Sequence, residues 1–506
     1  MRNKILTIKE LKIKIEKIKK KKKILVLCHG VFDLLHLGHI NHFNEAKKKG
    51  DILIVSLTSD KYVNKGPGRP AFNEKMRLEA ISSLSVVDFV VLNNAKTSVP
   101  IIKEIKPNIY CKGPDYKDHK NDITNEIKNE IKTLKEIKGK IAYTTGKTFS
   151  SSNLINNFNF SSTSKHNSLK KIRKNSKFLE IKLKIDSLKK LKILVIGETI
   201  IDNYVFCDAL GKSGKEPVLA LRRIKDEEYL GGAAAIAGHL SSFSNDLKLL
   251  TMIGEKNDRL NMIKSLLSKN IKLEYIKKKN SPTIYKRRFL DNVSKNKLLG
   301  VYDLNDESLE QNQEKLFLKK LKKNIPMYDL VIVTDYGHGF ISSKAADIIC
   351  KKSKFISLNA QINAANVGYH TMQKYKNLNC LIINENEIRQ ELRDKNGDLE
   401  VLMKHLAKKQ NITDLVVTRG DQGSILFNKS KNLFEKCDAF SKKTLDKVGA
   451  GDTMLSLISI CLKREMTKSL SLFIGSLAAA HSVETMGNKH YIKKDKILKE
   501  VEHLLK

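Results

Sequence analysis

The sequence has no cysteines in a C-x-x-C arrangement, and its seven cysteines are scattered through 506 residues. Cysteines dispersed in this way argue against a zinc site or a disulfide framework and indicate reduced thiols, as in a cytoplasmic protein. No apolar run approaches the roughly 18 residues that a membrane span requires. The apolar run after the N-terminal lysines, residues 24–27, is also too short for a signal peptide. We therefore expect a cytoplasmic protein that does not bind a membrane.

Acidic residues are few relative to basic ones, with 55 Asp and Glu against 94 Lys and Arg and a formal net charge of +39. Such an excess suggests a nucleic-acid partner. However, the excess is mostly lysine, is spread over the whole chain, and comes without an RNP-type aromatic motif, a zinc finger or an arginine-rich arm. We therefore expect anionic small-molecule partners and no nucleic acid. A basic RNA-associated protein is the alternative from a different functional class.

The chain is too long for one ordinary domain, and its apolar share of 41% is enough to form real cores. Strands alternate with helices, as in parallel sheets with crossover helices, so the predicted fold class is α/β. Strands are predicted at 330–335, 380–384 and 415–418. The predicted organisation is an N-terminal basic helix (1–21), a first domain (22–157), a Ser-, Asn- and Lys-rich linker (158–190), a second domain (191–490) and a C-terminal helix (491–506).

The most specific stretch of the first domain is residues 29–39, HGVFDLLHLGH, between an apolar strand and a predicted helix. A helix N-terminus offers free N–H groups to a phosphate, and Gly38 allows the backbone to approach closely. The imidazoles of His36 and His39 can donate to phosphoryl oxygens. This pattern predicts attack by one phosphate on the α-phosphorus of a nucleotide, where positioning and charge neutralisation matter most. Two surface histidines beside a turn would be the simpler alternative, but the spacing disfavours it.

This stretch resembles the nucleotidylyltransferases of the cytidylyltransferase-like superfamily. Further motifs at 48–51 (KKGD), 69–70 (RP), 111–116 (CKGPDY) and 150–152 (SSS) resemble the adenylyltransferase half of the bacterial heptose-phosphate kinase/adenylyltransferases. The resemblance implies a Rossmann-like domain and favours ATP, with CTP as the open alternative. Besides the catalytic His36 and His39, it implies these nucleotide-binding residues: Gly30, Phe32, Asp33, Gly38, Lys48, Lys112, Ser150, Ser151 and Ser152.

The second domain contains its own phosphate motif, DKVGAGD at residues 446–452, ahead of an apolar helix. Gly449, Ala450 and Gly451 present consecutive N–H groups at the helix start, which suits an anion hole for a transferring phosphoryl group. Asp452, at the same helix start, is placed to take a proton from a sugar hydroxyl as general base. A glycine-rich turn with an N-capping Asp is the simpler alternative for this motif alone.

Three more motifs accompany it: a glycine pair at 231–232, N-x-x-E at 384–387 and T-x-G at 418–420. With them, residues 191–490 resemble the ribokinase-like (PfkB) carbohydrate kinases. The resemblance implies a doubly wound α/β core with a small β-lid, ATP as phosphoryl donor and Asp452 as base. It also implies the remaining site residues: Asp202, Gly231 and Gly232 for the sugar, Thr418 and Gly420 for ATP, and Asn384 and Glu387 for organising Mg²⁺ through phosphates and water, with no direct metal ligand.

The sequence departs from the heptose-enzyme pattern in several places. The transferase domain comes first rather than second. The family's GGAAN ends in Ala235, its D-Y-x-K-G has His338 in place of lysine, and its D-P-K is replaced by residues 359–361, NAQ. These positions lie on the sugar side in the family. Because a site built for hydroxyls discriminates through its polar contacts, they predict the same reaction type and leave the sugar open.

The leading hypothesis is a bifunctional enzyme of nucleotide-sugar synthesis. One half phosphorylates a sugar or sugar phosphate with Mg·ATP, and the other joins a sugar 1-phosphate to a nucleoside triphosphate with release of pyrophosphate. The alternative within enzymes is that only one half is active. The expected partners are sugar phosphates and nucleotides, and the ribokinase-like lid allows a homodimer.

Overall fold

The computed structural model describes residues 4–66, 69–114, 126–145, 167–213, 216–362, 366, 368–441 and 444–505. The chain forms two compact units, Met1–Ser164 with Leu498–Lys506, and Lys165–Ile497. None of the helices in these described ranges has both the length and the apolar character needed to cross a membrane.

The first unit is a six-stranded parallel sheet with helices between its strands. The strands are β1 (Ile5–Leu6), β2 (Leu25–Gly30), β3 (Ile52–Thr58), β4 (Phe89–Asn93), β5 (Ile109–Lys112) and β6 (Lys140–Tyr143). The helices are α1 (Ile8–Lys20), α2 (Leu37–Lys47), α3 (Glu74–Ser82), α4 (Val99–Ile105) and α5 (Glu126–Glu136). A strand therefore precedes the basic helix that was predicted from the first residue onwards.

The strand order β1-β4-β3-β2-β5-β6 makes β2 the point where the connections change direction. In open parallel sheets, ligands bind beyond the carboxyl ends of the strands at such a switch point. Apolar residues cover both faces of the strands, in one cluster that includes Phe43 of α2 and another that includes Leu11 of α1. Burial on both faces explains why these strands are near-continuous apolar runs. The sheet therefore presents the chain after β2 at its ligand-binding edge.

From residue 167 onwards the chain adds a second, larger set of strands and helices. The strands are β7 (Lys192–Lys212), β8 (Leu219–Gly231), β9 (Asp246–Lys256), β10 (Ile271–Pro282), β11 (Ile284–Asp291), β12 (Lys297–Asp303), β13 (Leu330–Asp335), β14 (Ile356–Ala360), β15 (Cys380–Asn384), β16 (Asp414–Thr418), β17 (Ser424–Asn428) and β18 (Leu433–Cys437). The helices are α6 (Asn167–Asn175), α7 (Phe178–Ser187), α8 (Gly232–Leu240), α9 (Leu260–Leu266), α10 (Gln311–Asn324), α11 (Ser343–Lys352), α12 (Glu385–Leu392), α13 (Leu399–Lys409), α14 (Ala450–Lys463), α15 (Lys468–Val483) and α16 (Lys494–Leu505).

The main sheet of the second unit has the order β10-β9-β7-β13-β14-β15-β16-β17-β18, parallel except for the antiparallel pairs at the β17–β18 end. The long strand β7 belongs to two sheets. Its first part pairs with β9 and β13 up to Glu198, and from Ile200 it pairs with β8 and β11. We call the sheet made of residues 200–212 of β7 with β8, β11 and β12 the lid. The structure thus confirms the predicted α/β class and the small β-lid.

Helix α14 carries the GAGD motif into the core of the second unit. Every residue from Thr453 to Leu462 is buried, which explains why this segment is apolar around its whole circumference. Helix α15 packs beside it and is buried along most of its length. A helix held on all sides fixes the position of its own N-terminus, and with it Gly449–Asp452.

Candidate active sites

The two histidines of the first motif lie together at the start of α2. His36 immediately precedes the helix and His39 is its third residue. Their rings stack with centroids 3.9 Å apart and planes at 20°. Burial and the nearby Lys65 lower the pKa of His36, and burial and His36 lower the pKa of His39 to about 3. Both rings are therefore neutral at pH 7, and each has a ring N–H that can donate to phosphoryl oxygens at the positive end of the helix.

Gly30, Phe32 and Gly38 were predicted to surround the nucleotide. Gly30 ends β2, and a Cβ atom there would lie 2.9 Å from the Phe32 ring. Phe32 is buried, and its ring meets the His39 ring edge-on at a centroid distance of 5.2 Å. Gly38 is the second residue of α2 and directly precedes His39. The Phe32 ring thus supports His39 from the core, and its nucleotide-binding role stays a prediction.

Asp33 does not have the predicted nucleotide-binding position. Its carboxylate is buried and accepts hydrogen bonds from Arg69 at 3.1 Å, from the Ala71 N–H at 2.7 Å and from the Phe72 N–H at 3.2 Å. Both of its oxygens are therefore used within the protein. A carboxylate aimed at a triphosphate would also repel it. Asp33 instead anchors the segment 69–72 against the turn after β2.

The two predicted phosphate-binding lysines lie in different places. Lys48 is exposed and follows the last residue of α2, so it lies at the opposite end of that helix from His36, roughly 18 Å away at 1.5 Å per residue. This corrects the prediction for Lys48. Lys112 ends β5, the neighbour of β2, and its ammonium forms an ion pair with the buried Glu130 at 2.6 Å. Lys112 is therefore at the ligand-binding edge of the sheet.

The predicted serines, Ser150, Ser151 and Ser152, lie outside the residues that the structure describes. The described chain just before them runs beside α2. The Thr144 hydroxyl there is 3.0 Å from His42 Nδ1, one helical turn after the pair of His36 and His39. The described chain, up to residue 145, thus runs close to that pair.

Arg77 supports the candidate site, and no sequence motif indicated this role. Its guanidinium is almost fully buried and donates to the carbonyls of Phe72 (2.9 Å), Val31 (2.5 Å) and Thr58 (3.1 Å), and to Asp60 Oδ1 (2.5 Å). Val31 and Thr58 are at the carboxyl ends of β2 and β3. Arg77 therefore fixes the two chain turns that border the histidines, and such long-range contacts leave no local sequence signal.

In the second unit, the predicted anion hole and base lie together at the start of α14. Gly449 precedes the helix with a φ of 87°, a left-handed conformation that favours glycine, and a Cβ atom there would collide with Asn488. A Cβ atom on Gly451 would meet no atom of the described residues within 4 Å, so there is space beside its amide. Ala450 and Asp452 are in the first turn of the helix. The N–H groups of this turn can therefore meet a ligand.

Asp452 has the environment of a general base that works near neutral pH. Burial raises its pKa to about 6, Asp202 adds to that rise, and the Tyr336 hydroxyl and Lys286 oppose it. The Tyr336 hydroxyl donates to Asp452 Oδ1 at 2.7 Å. Tyr336 comes directly after β13. Because ligands bind beyond the carboxyl ends of parallel strands, this position was the feature of the sequence that could have indicated the contact. A base with a pKa just below the working pH is mostly ionised and still able to accept a proton.

The predicted sugar-binding residues lie next to this base. Asp202 is buried on β7 and forms an ion pair with Arg288 of the neighbouring lid strand β11. A Cβ atom on Gly231 would collide with the Asp202 carboxylate, and Gly232 has a φ of 59°. The two glycines therefore allow the turn from β8 into α8 to pass over Asp202. The structure brings Asp202, Gly231 and Gly232 together.

The residues predicted to bind ATP and to organise Mg²⁺ in the kinase half also lie close together. Asn384 and Thr418 are opposite each other at the carboxyl ends of β15 and β16, and Gly420 follows with a φ of 59°. Asn384 Oδ1 accepts the Glu387 N–H at 2.9 Å, and Glu387 Oε2 accepts the Asn384 N–H at 2.8 Å. Burial raises the pKa of Glu387 to about 7, and Asp452 contributes to that rise.

These residues fit Mg²⁺ only in an indirect role. Over the described residues, no three His, Cys, Asp or Glu side chains are grouped to hold a metal ion. One oxygen of Glu387 is occupied by the helix cap that it forms with Asn384. Mg²⁺ commonly keeps several waters and is held through substrate phosphates. The arrangement therefore suits a Mg²⁺ that arrives with the nucleotide, near Glu387 and without a protein cage.

Two family models match the two regions of the chain that contain these candidate sites. The pfkB family carbohydrate kinases match residues 190–494, and the cytidylyltransferase-like family matches residues 27–164. The transferase region thus precedes the kinase region, as predicted. Both families are transferases, so the prediction of a transferase is also confirmed.

Individual relatives cover part of the chain. The "Bifunctional protein HldE" of Campylobacter jejuni strain RM1221 is 27% identical over 305 residues, 60% of this chain and 63% of that protein. The protein of the same name from Campylobacter fetus is 40% identical over 120 residues, 23% of this chain and 26% of that protein. The alignments with the Campylobacter jejuni relative thus span less than two thirds of its length.

A solved structure shows the fold of the larger unit. Phosphofructokinase-2 from Escherichia coli, in complex with substrates and products, superposes with a TM-score of 0.51 at 14% identity, over 62% of this chain and 99% of that chain. At this identity the likeness concerns the fold alone. Together with the family match over 190–494, it identifies the chain as a member of the pfkB family carbohydrate kinases that carries a cytidylyltransferase-like domain in front of its kinase region.

Proposed function

We propose that this chain is a bifunctional enzyme of nucleotide-sugar synthesis. The kinase half transfers the γ-phosphoryl group of ATP to a hydroxyl of a sugar phosphate. The other half joins a sugar 1-phosphate to a nucleoside triphosphate and releases pyrophosphate. The observation that supports this proposal is that residues predicted to bind phosphate lie together at two separate helix starts, the stacked pair of His36 and His39 and the amide turn beside Asp452. Both family matches and the similarity to HldE support it.

In the kinase half, Asp452 takes the proton from the attacking sugar hydroxyl. Because its pKa is about 6, most of the carboxylate is ionised at neutral pH. The N–H groups of Gly449–Gly451 donate to the phosphoryl oxygens as negative charge develops on them. Asn384 and Glu387 would organise Mg²⁺ through phosphates and water, and the ion would neutralise charge on the nucleotide. Asp202 orients the acceptor sugar.

The acceptor that this site suits best is a sugar that already carries a phosphate. Lys286 is buried on β11, and among the described residues no carboxylate lies within ion-pair distance of its ammonium. Lys286 nevertheless interacts electrostatically with two carboxylates. Asp202 acts to raise the pKa of Lys286, and Lys286 acts to lower the pKa of Asp452. Arg288 is next to it on the same face of the strand. A buried ammonium without a carboxylate in direct contact is costly, and a substrate phosphate in contact with it would lower that cost. A heptose 7-phosphate-like acceptor therefore fits this proposal.

In the transferase half, a phosphate oxygen of the sugar 1-phosphate attacks the α-phosphorus of the nucleotide and pyrophosphate leaves. His36 and His39 donate to the triphosphate, and the start of α2 adds its free N–H groups. Lys65 lowers the pKa of both histidines, so a cation already lies near them. The resemblance to heptose adenylyltransferases makes ATP the proposed nucleotide.

The proposed setting follows from the same observations. Seven cysteines without a disulfide framework support a cytoplasmic location. The substrates of both sites are small anions, so the basic charge needs no nucleic-acid partner. Exposed apolar side chains on the lid, such as Leu219 and Leu299, support a homodimer.

A substrate panel tests this function. The purified chain is incubated with Mg²⁺, ATP or CTP, and a set of sugars, sugar phosphates and sugar 1-phosphates, and the products are identified by mass spectrometry. We expect a phosphorylated product from a sugar phosphate and a nucleotide sugar from a sugar 1-phosphate with ATP. Phosphorylation without nucleotidyl transfer would show that only the kinase half works. Salt-sensitive RNA binding with no product of either kind would refute the proposal.

A further inference from the structure

The lid makes a charged contact with the loop that leads into the kinase anion hole. Lys297 is the first residue of β12, and its ammonium lies 2.6 Å from Asp446 Oδ1. Among the described strands, β12 pairs only with β11, and all of its residues are exposed. The Asp446 side chain is 1% exposed. A cation from the outer strand of the lid therefore compensates a carboxylate buried in the kinase core.

Asp446 also determines the shape of the anion-hole turn. Its Oδ1 accepts the N–H of Val448 at 3.1 Å, and Val448 directly precedes Gly449. Its Oδ2 accepts the Tyr204 hydroxyl at 2.7 Å and the Gly487 N–H at 3.1 Å. The same carboxylate oxygen thus holds both the Lys297 ammonium and the N–H that begins the turn. A change in the charges around Asp446 therefore alters its hydrogen bond to Val448, one residue before the anion hole.

Lys297 is the partner of Asp446 that depends on the position of the lid's outer strand. Tyr204 is also in the lid, but on β7, whose first part belongs to the main sheet, and Gly487 and Val448 lie in loops outside the lid. If β12 moves away, Asp446 keeps three neutral donors and loses its cation. A buried carboxylate without a compensating charge is strongly disfavoured, so the loop would rearrange or take up a proton. In either case the hydrogen bond to Val448 weakens.

We propose that Lys297, on the outer strand of the lid, is a positioning residue for the kinase anion hole. Its ammonium binds Asp446, and Asp446 holds Val448 so that the N–H groups of Gly449–Gly451 converge on the transferring phosphoryl group. This inference rests on the proposed kinase function for its catalytic consequence, although the contact itself does not.

The test compares Lys297→Ala with Lys297→Arg and with the matched control Arg222→Ala. Arg222 forms an exposed ion pair with Asp208, 2.9 Å apart, elsewhere in the lid. The measured quantities are kcat, KM for ATP and KM for a sugar phosphate that the wild-type chain uses. Hydrogen exchange of the peptide that contains residues 446–452 is measured in parallel, because it requires no activity.

We expect Lys297→Ala to lower kcat by about 10- to 100-fold with KM for ATP nearly unchanged, since the loss acts on transition-state contacts. Lys297→Arg should keep most of the activity. Ethylammonium should restore part of the Lys297→Ala rate, whereas sodium at equal ionic strength should not. Amide exchange at 446–452 should rise in Lys297→Ala and stay at the wild-type level in Arg222→Ala.

Unchanged kcat together with unchanged exchange in Lys297→Ala would overturn the inference, and so would equal effects of Lys297→Ala and Arg222→Ala. A wild-type chain that phosphorylates no member of the panel would refute the proposed function instead. In that case exchange at 446–452 still decides whether Lys297 orders this loop.

Discussion

Replacing Asp452 by Asn should abolish phosphorylation while leaving the fold and nucleotidyl transfer intact. Asn has nearly the same shape, and its amide oxygen can still accept the Tyr336 hydroxyl that donates to Asp452 at 2.7 Å. It cannot, however, take a proton from a sugar hydroxyl at neutral pH. Because a positioned general base contributes a factor of roughly 10² to 10⁴, we expect kcat to fall by that factor.

The same substitution should make the folded chain more stable above pH 6. Burial and the Asp202 charge raise the pKa of Asp452 from 3.8 to about 6. A carboxyl whose pKa is higher in the folded chain than in the unfolded chain lowers the free energy of unfolding as the pH rises from the unfolded pKa to the folded pKa. At ~1.4 kcal/mol per pKa unit, the ionised carboxylate costs about 3 kcal/mol. Asn removes this cost, so its advantage should vanish once the wild-type carboxylate is protonated.

The assay combines initial rates of ADP release with urea unfolding at an acidic and a neutral pH. Nucleotidyl transfer, measured as pyrophosphate release, is the internal control for folding of the other half. An Asp452→Asn variant that keeps a kcat within threefold of wild type would contradict the role of Asp452 as base. A stability difference that does not depend on pH would contradict the burial of its charge.

Three further variants test other contacts. His39→Ala should lower nucleotidyl transfer by about 10²-fold and leave phosphorylation unchanged, because a neutral donor at the triphosphate is lost; unchanged pyrophosphate release would exclude this role. Tyr336→Phe removes a hydrogen bond that lowers the pKa of Asp452, so the acid limb of the kcat–pH profile should move to higher pH; a limb that moves down would contradict it. Arg77→Met should destabilise the first unit by about 1–3 kcal/mol, because the carbonyls of Val31 and Thr58 and the half-exposed Asp60 lose their donor; a urea midpoint for loss of nucleotidyl transfer equal to that of wild type would refute this.

Much of the fold could be predicted because buried parallel strands are continuous apolar runs. The strands at 330–335 and 380–384 have the predicted bounds. The motifs at His36–His39 and Gly449–Asp452 both begin helices in the structure, as their glycines and flanking residues indicate. In these cases the signal is local: a glycine turn and a helix start within a few residues.

Where prediction was wrong, the deciding contact is distant in sequence or lies on the far side of an element. Asp33 has a motif position but binds Arg69 and the amides that follow, which no local pattern reveals. Lys48 is twelve residues after His36, and a crossover helix carries it to the opposite edge of the sheet. The first strand of the second unit leaves the main sheet after Glu198. It continues into the lid, because Ile200 onwards finds new partners in β8 and β11.

The most direct test of two independent phosphate sites is the product pattern of three proteins: wild type, Asp452→Asn and His39→Ala. Each is supplied with Mg·ATP, a sugar phosphate and a sugar 1-phosphate, and the products are separated by mass. We expect wild type to make both the doubly phosphorylated sugar and the nucleotide sugar, Asp452→Asn to make only the nucleotide sugar, and His39→Ala to make only the doubly phosphorylated sugar. If either variant lost both products, or both variants kept both, the two sites would not act as separate centres.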